Sequence, residues 1–167
     1  MCPVSASHHY EIPSRIVWFD NSPVVEVRRI SASALDQAFW DDLWADAPIT
    51  AILRLDDQPE PPGTGPLYGG IFHTYRCGST LLCRQLSTLP EVYAIAEPKF
   101  LSQLVLQPHQ APLLLRARIM KVLVLLAQGL GARGQKIVVK WPGMLADCAD
   151  ILVQALPDVP MLFLHRD

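Results

Sequence analysis

The chain is poor in charge and in long apolar runs. Of its 167 residues only 18% are charged, and the formal net charge is −2, so no general attraction to nucleic acid or to an anionic membrane is expected. Its apolar runs, such as Val122–Ala127, are far shorter than the roughly 20 residues that cross a bilayer. Residues 1–9 have neither a basic start nor an apolar stretch and predict no signal peptide. We therefore expect neither a nucleic-acid partner nor a membrane partner.

Cysteine is also scarce. The four cysteines are Cys2, Cys77, Cys83 and Cys148, and they show neither a paired spacing nor a zinc-type spacing with histidine. The pattern indicates no disulfide framework and no structural metal site, and it predicts a reduced, cytoplasmic compartment. Because half of the residues are apolar, the chain can bury the core of one domain of ordinary size.

A stretch rich in proline and glycine at residues 61–66 is predicted to be a linker. Residues 1–60 before it are interpreted as a small α+β segment of unknown role. In that segment, residues 15–19 and 24–28 predict the two strands of a hairpin. A helix is predicted to begin at Ser33, and its apolar positions recur at helical spacing. These positions are Leu35, Phe39, Trp40 and Leu43.

Residues 67–167 alternate between predicted strands and predicted helices. The predicted strands are 67–72, 92–96, 136–140 and 161–165, and the predicted helices are 79–87, 99–106, 112–130 and 144–155. Nearly continuous apolar strands that alternate with helices indicate an α/β fold, in which a parallel sheet has helices on its faces. In such sheets ligands bind beyond the carboxyl ends of the strands. Chemistry is therefore expected in the loops that follow the strands.

The loop at residues 76–80 combines the features of an anion-binding turn. It joins a predicted strand to a predicted helix, so free backbone N–H groups and the positive end of the helix dipole face the loop. Gly78 permits the tight turn. The Arg76 guanidinium has the fork geometry that suits phosphate or sulfate oxygens, and Ser79 and Thr80 add hydroxyl donors. We predict that this loop binds a phosphate or sulfate group.

Two common phosphate loops do not fit these residues. A Walker A loop needs a lysine between its last glycine and the Ser/Thr, whereas Ser79 follows Gly78 directly. A cysteine-phosphatase loop built on Cys77 needs an arginine at position 83, which is a cysteine. Cys77 is therefore interpreted as a small loop residue that contributes its backbone N–H group.

The sequence Arg-x-Gly-Ser-Thr at residues 76–80 resembles the loop that binds the 5′-phosphosulfate in sulfotransferases that use 3′-phosphoadenosine-5′-phosphosulfate (PAPS). Its arginine-bearing form is similar to the tyrosylprotein and Golgi carbohydrate sulfotransferases. Further segments of that family are matched by Leu89–Pro98, Lys136–Pro142 and Leu156–Asp167. The resemblance covers residues 67–167 and implies a P-loop-containing, sulfotransferase-like α/β domain.

The resemblance also implies roles for single residues. Arg76 and the backbone of residues 76–80 would hold the 5′-phosphosulfate of PAPS, and Arg166 would hold its 3′-phosphate. Lys140 would stabilise charge on the transferred sulfuryl group. Glu97, which aligns without a gap from Arg76, would be the catalytic base. PAPS would be the co-substrate, a hydroxyl or amine of a small molecule or peptide the acceptor, and no metal ion would be needed.

Several alternatives stay open at this stage. Glu97 could be an acid stabilised by the dipole of the helix that follows, with Pro98 at its first position, and Lys140 could be a surface lysine. Because the family's domain continues beyond the strand that ends near Arg166, the chain is expected to be a fragment truncated at its C-terminus. The rival functions are a non-catalytic nucleotide- or partner-binding fragment and a P-loop nucleotide kinase or NTPase. The sequence leaves the acceptor and the oligomeric state undetermined.

Overall fold

The computed structural model describes residues 9–35, 46–61, 63, 65–131 and 136–166. The strands and helices in these ranges are β1 (His9–Phe19), β2 (Ser22–Ser31), α1 (Ala32–Leu35), β3 (Ile49–Arg54), β4 (Leu67–His73), α2 (Ser79–Leu86), β5 (Val92–Ala96), α3 (Lys99–Val105), α4 (Pro112–Leu130), β6 (Lys136–Lys140), a 3₁₀ segment (Gly143–Cys148), α5 (Ala149–Ala155) and β7 (Met161–Leu164).

Strands β1, β2 and β3 form an antiparallel sheet in that order. The predicted hairpin is confirmed, and its loop is Asp20-Asn21, because Phe19 pairs with Ser22. Both loop residues have positive φ, 48° and 63°, as the tight turns that match the twist of a hairpin require. Strand β3 was not predicted. Helix α1 begins one residue before Ser33, and the other apolar positions predicted for that helix lie outside the described residues.

Strands β5, β6, β4 and β7 form a parallel sheet in that order. The α/β class with a parallel sheet and flanking helices is therefore confirmed, and the four predicted strands agree with the structure to within one residue at each end. Strand β4 lies between β6 and β7, and six of its seven residues are buried. Strands that are buried on both faces read as the nearly continuous apolar runs seen in the sequence.

The helices agree with the prediction except at one place. Helices α2, α3 and α4 begin and end within one residue of the predicted bounds. The predicted helix at 144–155 is instead a 3₁₀ segment followed by α5, because the Leu145 N–H donates to Pro142 O three residues back, at 2.8 Å. Within the described ranges, no helix is both long enough and apolar enough to cross a membrane.

One hydrophobic core extends under both sheets. Buried side chains of the antiparallel sheet, such as Ile12 and Val25, belong to the same cluster as Leu104 of α3, Ile119 of α4 and Ile137 of β6. Strand β1 contacts both α3 and α4. The chain segments on the two sides of residues 61–66 therefore share a core, and the antiparallel sheet packs on the helices of the α/β unit.

A buried arginine reinforces this packing. Arg118 of α4 donates from Nε to Asp56 Oδ1 at 3.0 Å and from Nη2 to Asp56 Oδ2 at 2.9 Å. Its guanidinium also lies 5.2 Å from the ring centroid of Trp18 on β1, a cation–π distance. Hydrogen bonds from Arg118 hold the pKa of Asp56 below its ordinary value. The fork thus joins α4 to the turn after β3 and to the hairpin.

Candidate functional site

The loop after β4 turns sharply into α2. Gly78 is the N-cap of α2 and has the left-handed conformation, with φ 85°. Arg76 also has a positive φ, 58°, which is uncommon for a residue with a side chain. The positive φ angles of Arg76 and Gly78 turn the chain sharply between β4 and α2. The first N–H groups of α2 have no helical turn before them to bond to, so they face the loop. Ser79 is buried at the start of α2, and the Arg76 side chain is exposed.

Three parallel strands bring their carboxyl ends to the same edge as this loop. Lys140 is the last residue of β6 and pairs with Ala96 of β5 and with Ile71 of β4. Glu97 follows β5 directly, and its backbone N–H donates to Lys140 O at 2.8 Å. The sheet register therefore places Glu97 and Lys140 side by side beyond the strand ends, where ligands bind in parallel sheets.

The Lys140 ammonium at the end of β6 contacts a residue of α2 and the residue that follows β5. Its Nζ donates to Glu97 Oε1 at 2.6 Å and to Thr80 Oγ1 at 3.2 Å. Lys140 is only 1% exposed, so the alternative interpretation as a surface lysine is wrong. A buried ammonium needs such partners, because an unpaired charge in the protein interior is strongly unfavourable.

Glu97 is held by Lys140 rather than by the following helix. Helix α3 begins at Lys99, as predicted, and Pro98 is its N-cap rather than its first residue, so Glu97 precedes the helix. Glu97 has a positive φ, 52°, and for a residue other than glycine this conformation costs about 1–3 kcal/mol. Its side chain is 32% exposed. The carboxylate is thus accessible from outside while its cationic partner is buried.

The buried thiol of Cys83 lies on α2 near the same pair. Burial raises the pKa of Cys83, the Lys140 charge opposes this rise, and the Glu97 charge adds to it. Cys77 in the loop is half-buried, and both residues are free cysteines. The site therefore holds Cys83 as a neutral thiol.

The last residue of β4 is a buried histidine that the sequence analysis did not single out. His73 is 6% exposed, and its Nε2 lies 3.3 Å from Glu97 Oε1. Its Nδ1 lies 3.1 Å from Thr74 O. The signal that could have found it is its position, since a polar residue that ends a central parallel strand lies at the ligand edge of the sheet.

The predicted 3′-phosphate ligand Arg166 lies beyond β7. Strand β7 pairs in parallel with β4, with Leu164 opposite His73, and the Thr74 N–H donates to Leu164 O at 2.9 Å. The residues after Leu164 therefore leave the sheet at the same edge as the loop, and Arg166 is exposed there. The structure brings Lys140 into contact with both Thr80 and Glu97. It leaves Arg76 and Arg166 exposed at the same edge.

In the part of the chain that the structure describes, no group of three or more His, Cys, Asp or Glu side chains is placed to hold a metal ion. A cavity away from the loop is lined by residues of α4 and by residues 60, 61 and 63. It contains none of the predicted site residues.

Comparisons of the chain with models of known protein families, with curated proteins and with solved structures found no match. The backbone N–H groups of the loop and the exposed Arg76 guanidinium suit an anion with several oxygens, and the buried ammonium of Lys140 contacts Thr80 at this loop. The partly exposed carboxylate of Glu97 can accept a proton. The arrangement can bind an anionic group and deprotonate a nucleophile next to it.

Proposed function

We propose that this chain forms the co-substrate site of a PAPS-dependent sulfotransferase with a P-loop-like α/β fold. The observation that carries the proposal is the position of Lys140, whose Nζ contacts both Thr80 at the anion loop and the accessible carboxylate of Glu97. A sulfuryl transferase needs this combination of a cation beside the transferred group and a base beside the acceptor.

The proposed reaction is an in-line displacement at sulfur. The acceptor oxygen or nitrogen forms a bond to sulfur while its proton moves to Glu97. The bond between sulfur and the bridging oxygen breaks, and adenosine 3′,5′-bisphosphate leaves. The N–H groups of residues 76–80 and the Arg76 guanidinium hold the 5′-phosphosulfate, and Arg166 holds the 3′-phosphate. As in phosphoryl transfer, positioning and charge stabilisation supply most of the catalysis.

The ion pair between Lys140 and Glu97 explains how the base becomes available. Lys140 Nζ donates to Glu97 Oε1, so the ion pair engages a lone pair of this carboxylate. A phosphosulfate in the loop competes for the same ammonium. When Lys140 turns to the ligand, Glu97 is left accessible with a free lone pair. In this proposal co-substrate binding prepares the base.

Calorimetry with adenosine 3′,5′-bisphosphate tests the binding part of the proposal. We expect the wild-type chain to bind it and Arg76→Ala to weaken binding about 10- to 100-fold, because one charge-assisted hydrogen bond is worth about 1.5–3 kcal/mol. Arg84→Ala is the matched control, since Arg84 lies exposed in the last turn of α2. Absence of binding, or equal effects of the two variants, would overturn the proposal.

A transfer assay tests the catalytic part. The chain is incubated with ³⁵S-labelled PAPS and a panel of phenols, amines and tyrosine-containing peptides, and the labelled products are separated. Transfer that Glu97→Gln abolishes supports the proposed reaction. Binding of the bisphosphate without transfer to any member of the panel would favour the non-catalytic nucleotide-binding alternative. ATP hydrolysis that depends on Mg²⁺ would favour the kinase or NTPase alternative.

A further inference from the structure

His73 has an unusual environment for a histidine. It ends the central strand β4, is 6% exposed, and its Nε2 makes no hydrogen bond with the described residues. Burying a polar nitrogen without a hydrogen-bond partner is unfavourable. The structure thus buries an imidazole at the strand end and leaves one of its nitrogens without a hydrogen bond among the described residues.

The hydrogen bond of His73 Nδ1 shows which ring nitrogen carries the hydrogen. Nδ1 lies 3.1 Å from the carbonyl oxygen of Thr74, which can only accept a hydrogen bond. Nδ1 must therefore carry the hydrogen, and in the neutral ring Nε2 carries a lone pair. That lone pair lies 3.3 Å from Glu97 Oε1, out of line for a hydrogen bond. Two lone pairs repel at this distance unless a proton lies between them.

Glu97 lies between the outside of the site and this imidazole. Its side chain is 32% exposed, whereas those of Lys140 and His73 are 2% and 6% exposed. A proton taken from an acceptor on the accessible side would therefore reach Glu97 first. If the carboxyl group carried this proton, a small rotation would bring its O–H into line with His73 Nε2, which lies 3.3 Å from Oε1. The proton would then have a path from the acceptor to the Glu97 carboxyl and on to the His73 imidazole.

We propose that His73 is a positioning residue for Glu97, and that its Nε2 receives the proton that Glu97 takes from the acceptor. The O–H bond of the protonated carboxyl breaks, an N–H bond forms at Nε2, and the result is an imidazolium next to a carboxylate. Glu97 is thereby restored as a base while the proton stays inside the site. This inference rests on the proposed function for the proton's origin, but the contact between His73 and Glu97 can be tested without turnover.

Nitrogen-15 NMR of the full unliganded chain, labelled at histidine, tests the contact itself. We expect the Nε2 resonance of His73 to shift in Glu97→Gln, while Nδ1 keeps the resonance of a protonated ring nitrogen. Glu91→Gln is the matched control, because Glu91 pairs with Lys136 at the opposite end of β6. An Nε2 resonance that is the same in the wild type and in Glu97→Gln would overturn the inference, whatever the transfer assay shows.

Two substitutions at His73 test its role in turnover. His73→Asn keeps a donor near Nδ1 and removes Nε2, whereas His73→Gln places an amide near Nε2. We expect His73→Asn to lower kcat at least 10-fold with KM for PAPS and bisphosphate binding changed less than 3-fold. His73→Gln can hydrogen-bond to Glu97 but cannot take up its proton, so we expect it to recover only the positioning part of that loss. Equal kcat in the wild type and in both variants, or a loss of bisphosphate binding as large as the loss of kcat, would overturn the role.

These readouts separate two kinds of failure. If the wild-type chain neither binds the bisphosphate nor transfers sulfate, the proposed function fails, and the NMR comparison still decides whether His73 and Glu97 share a proton. If the chain is active and the Nε2 resonance of His73 is the same in the wild type and in Glu97→Gln, the proposed function stands and the inference about His73 fails.

Discussion

Glu97 and Lys140 are joined twice, once through the backbone and once through their side chains. The Glu97 N–H donates to Lys140 O at 2.8 Å, and Lys140 Nζ donates to Glu97 Oε1 at 2.6 Å. The first contact continues the parallel ladder between β5 and β6. The register of the sheet therefore sets the side-chain pair, and the candidate base is positioned by strand pairing rather than by a loop.

Replacing Lys140 tests whether its charge acts on the transferred group. We expect Lys140→Met to lower the rate of sulfuryl transfer about 10²- to 10³-fold, because a preorganised charge-stabilising group is typically worth about 3–4 kcal/mol of barrier. Binding of adenosine 3′,5′-bisphosphate, which lacks the sulfuryl group, should change only a few-fold. Lys136→Met on the same strand is the control. An equal loss in both variants would contradict the role.

Alkylation of Cys83 tests the electrostatics of the pair. Burial and the Glu97 charge raise the pKa of Cys83, and the thiolate is the reactive form, so we expect iodoacetamide to modify Cys83 more slowly than the half-buried Cys148. Glu97→Gln removes a negative neighbour, lowers the pKa and should accelerate modification. Peptide mass spectrometry over time gives both rates. A rate at Cys83 that is unchanged or slower in Glu97→Gln would show that Glu97 does not act on this thiol.

Acid should weaken the contact between Arg118 and Asp56. Because the pKa of Asp56 is lowered in the folded chain, its contribution to stability is complete above the ordinary value of 3.8 and is lost as the pH falls through the lower folded value. We expect Asp56→Asn to reduce the free energy of unfolding at pH 7 by about 1–2 kcal/mol, given its partial exposure.

Denaturant unfolding at several pH values gives the free energy of unfolding of the wild type and of Asp56→Asn. The difference from the wild type should shrink gradually as the pH falls below about 4 and disappear once the pH lies below the lowered folded pKa of Asp56, where the carboxyl is protonated in the folded chain too. Asp57→Asn controls for the loss of one negative charge in the same turn. A difference between wild type and Asp56→Asn that grows with acidity would contradict the assignment.

Strand β4 has no room for a side chain at Gly70. A Cβ there would lie 2.8 Å from Trp141 Nε1 and would also overlap Met161 Sδ. We expect Gly70→Ala to destabilise the chain by about 1–3 kcal/mol, as overpacking of a close-packed core does. Gly69→Ala is the matched control, because a Cβ there approaches only Pro160 O at 3.4 Å. Denaturant unfolding should find the control close to the wild type; equal losses would refute the packing argument.

The sequence predicts the α/β unit well because its strands and helices have distinct patterns. Strands β5 and β6 and helix α4 begin and end where predicted, since each is a clear apolar run or helical repeat between turn residues. Strand β3 was missed. Its positions are only exposed or half-buried, so it lacks the buried alternation that indicates a strand, and its pairing with β2 is a tertiary contact.

The candidate site could be predicted only in part, because its side-chain contacts also depend on how the strands pair. Residues that follow strands can be expected at the carboxyl edge of a sheet, and this placed Glu97, Lys140 and the loop at residues 76–80 near one another. Which side chains touch depends on strand order and register, which the local pattern does not contain. The contact between His73 and Glu97 and the fork between Arg118 and Asp56 join distant parts of the chain.

Amide NMR during titration with adenosine 3′,5′-bisphosphate tests the anion site most directly. If the loop binds the bisphosphate, the N–H resonances of Gly78, Ser79 and Thr80 shift saturably, the Glu97 resonance follows as Lys140 turns to the ligand, and Arg76→Ala reduces the shifts. Saturable shifts confined to the cavity beside α4, or no saturable shift at all, would contradict the proposed site.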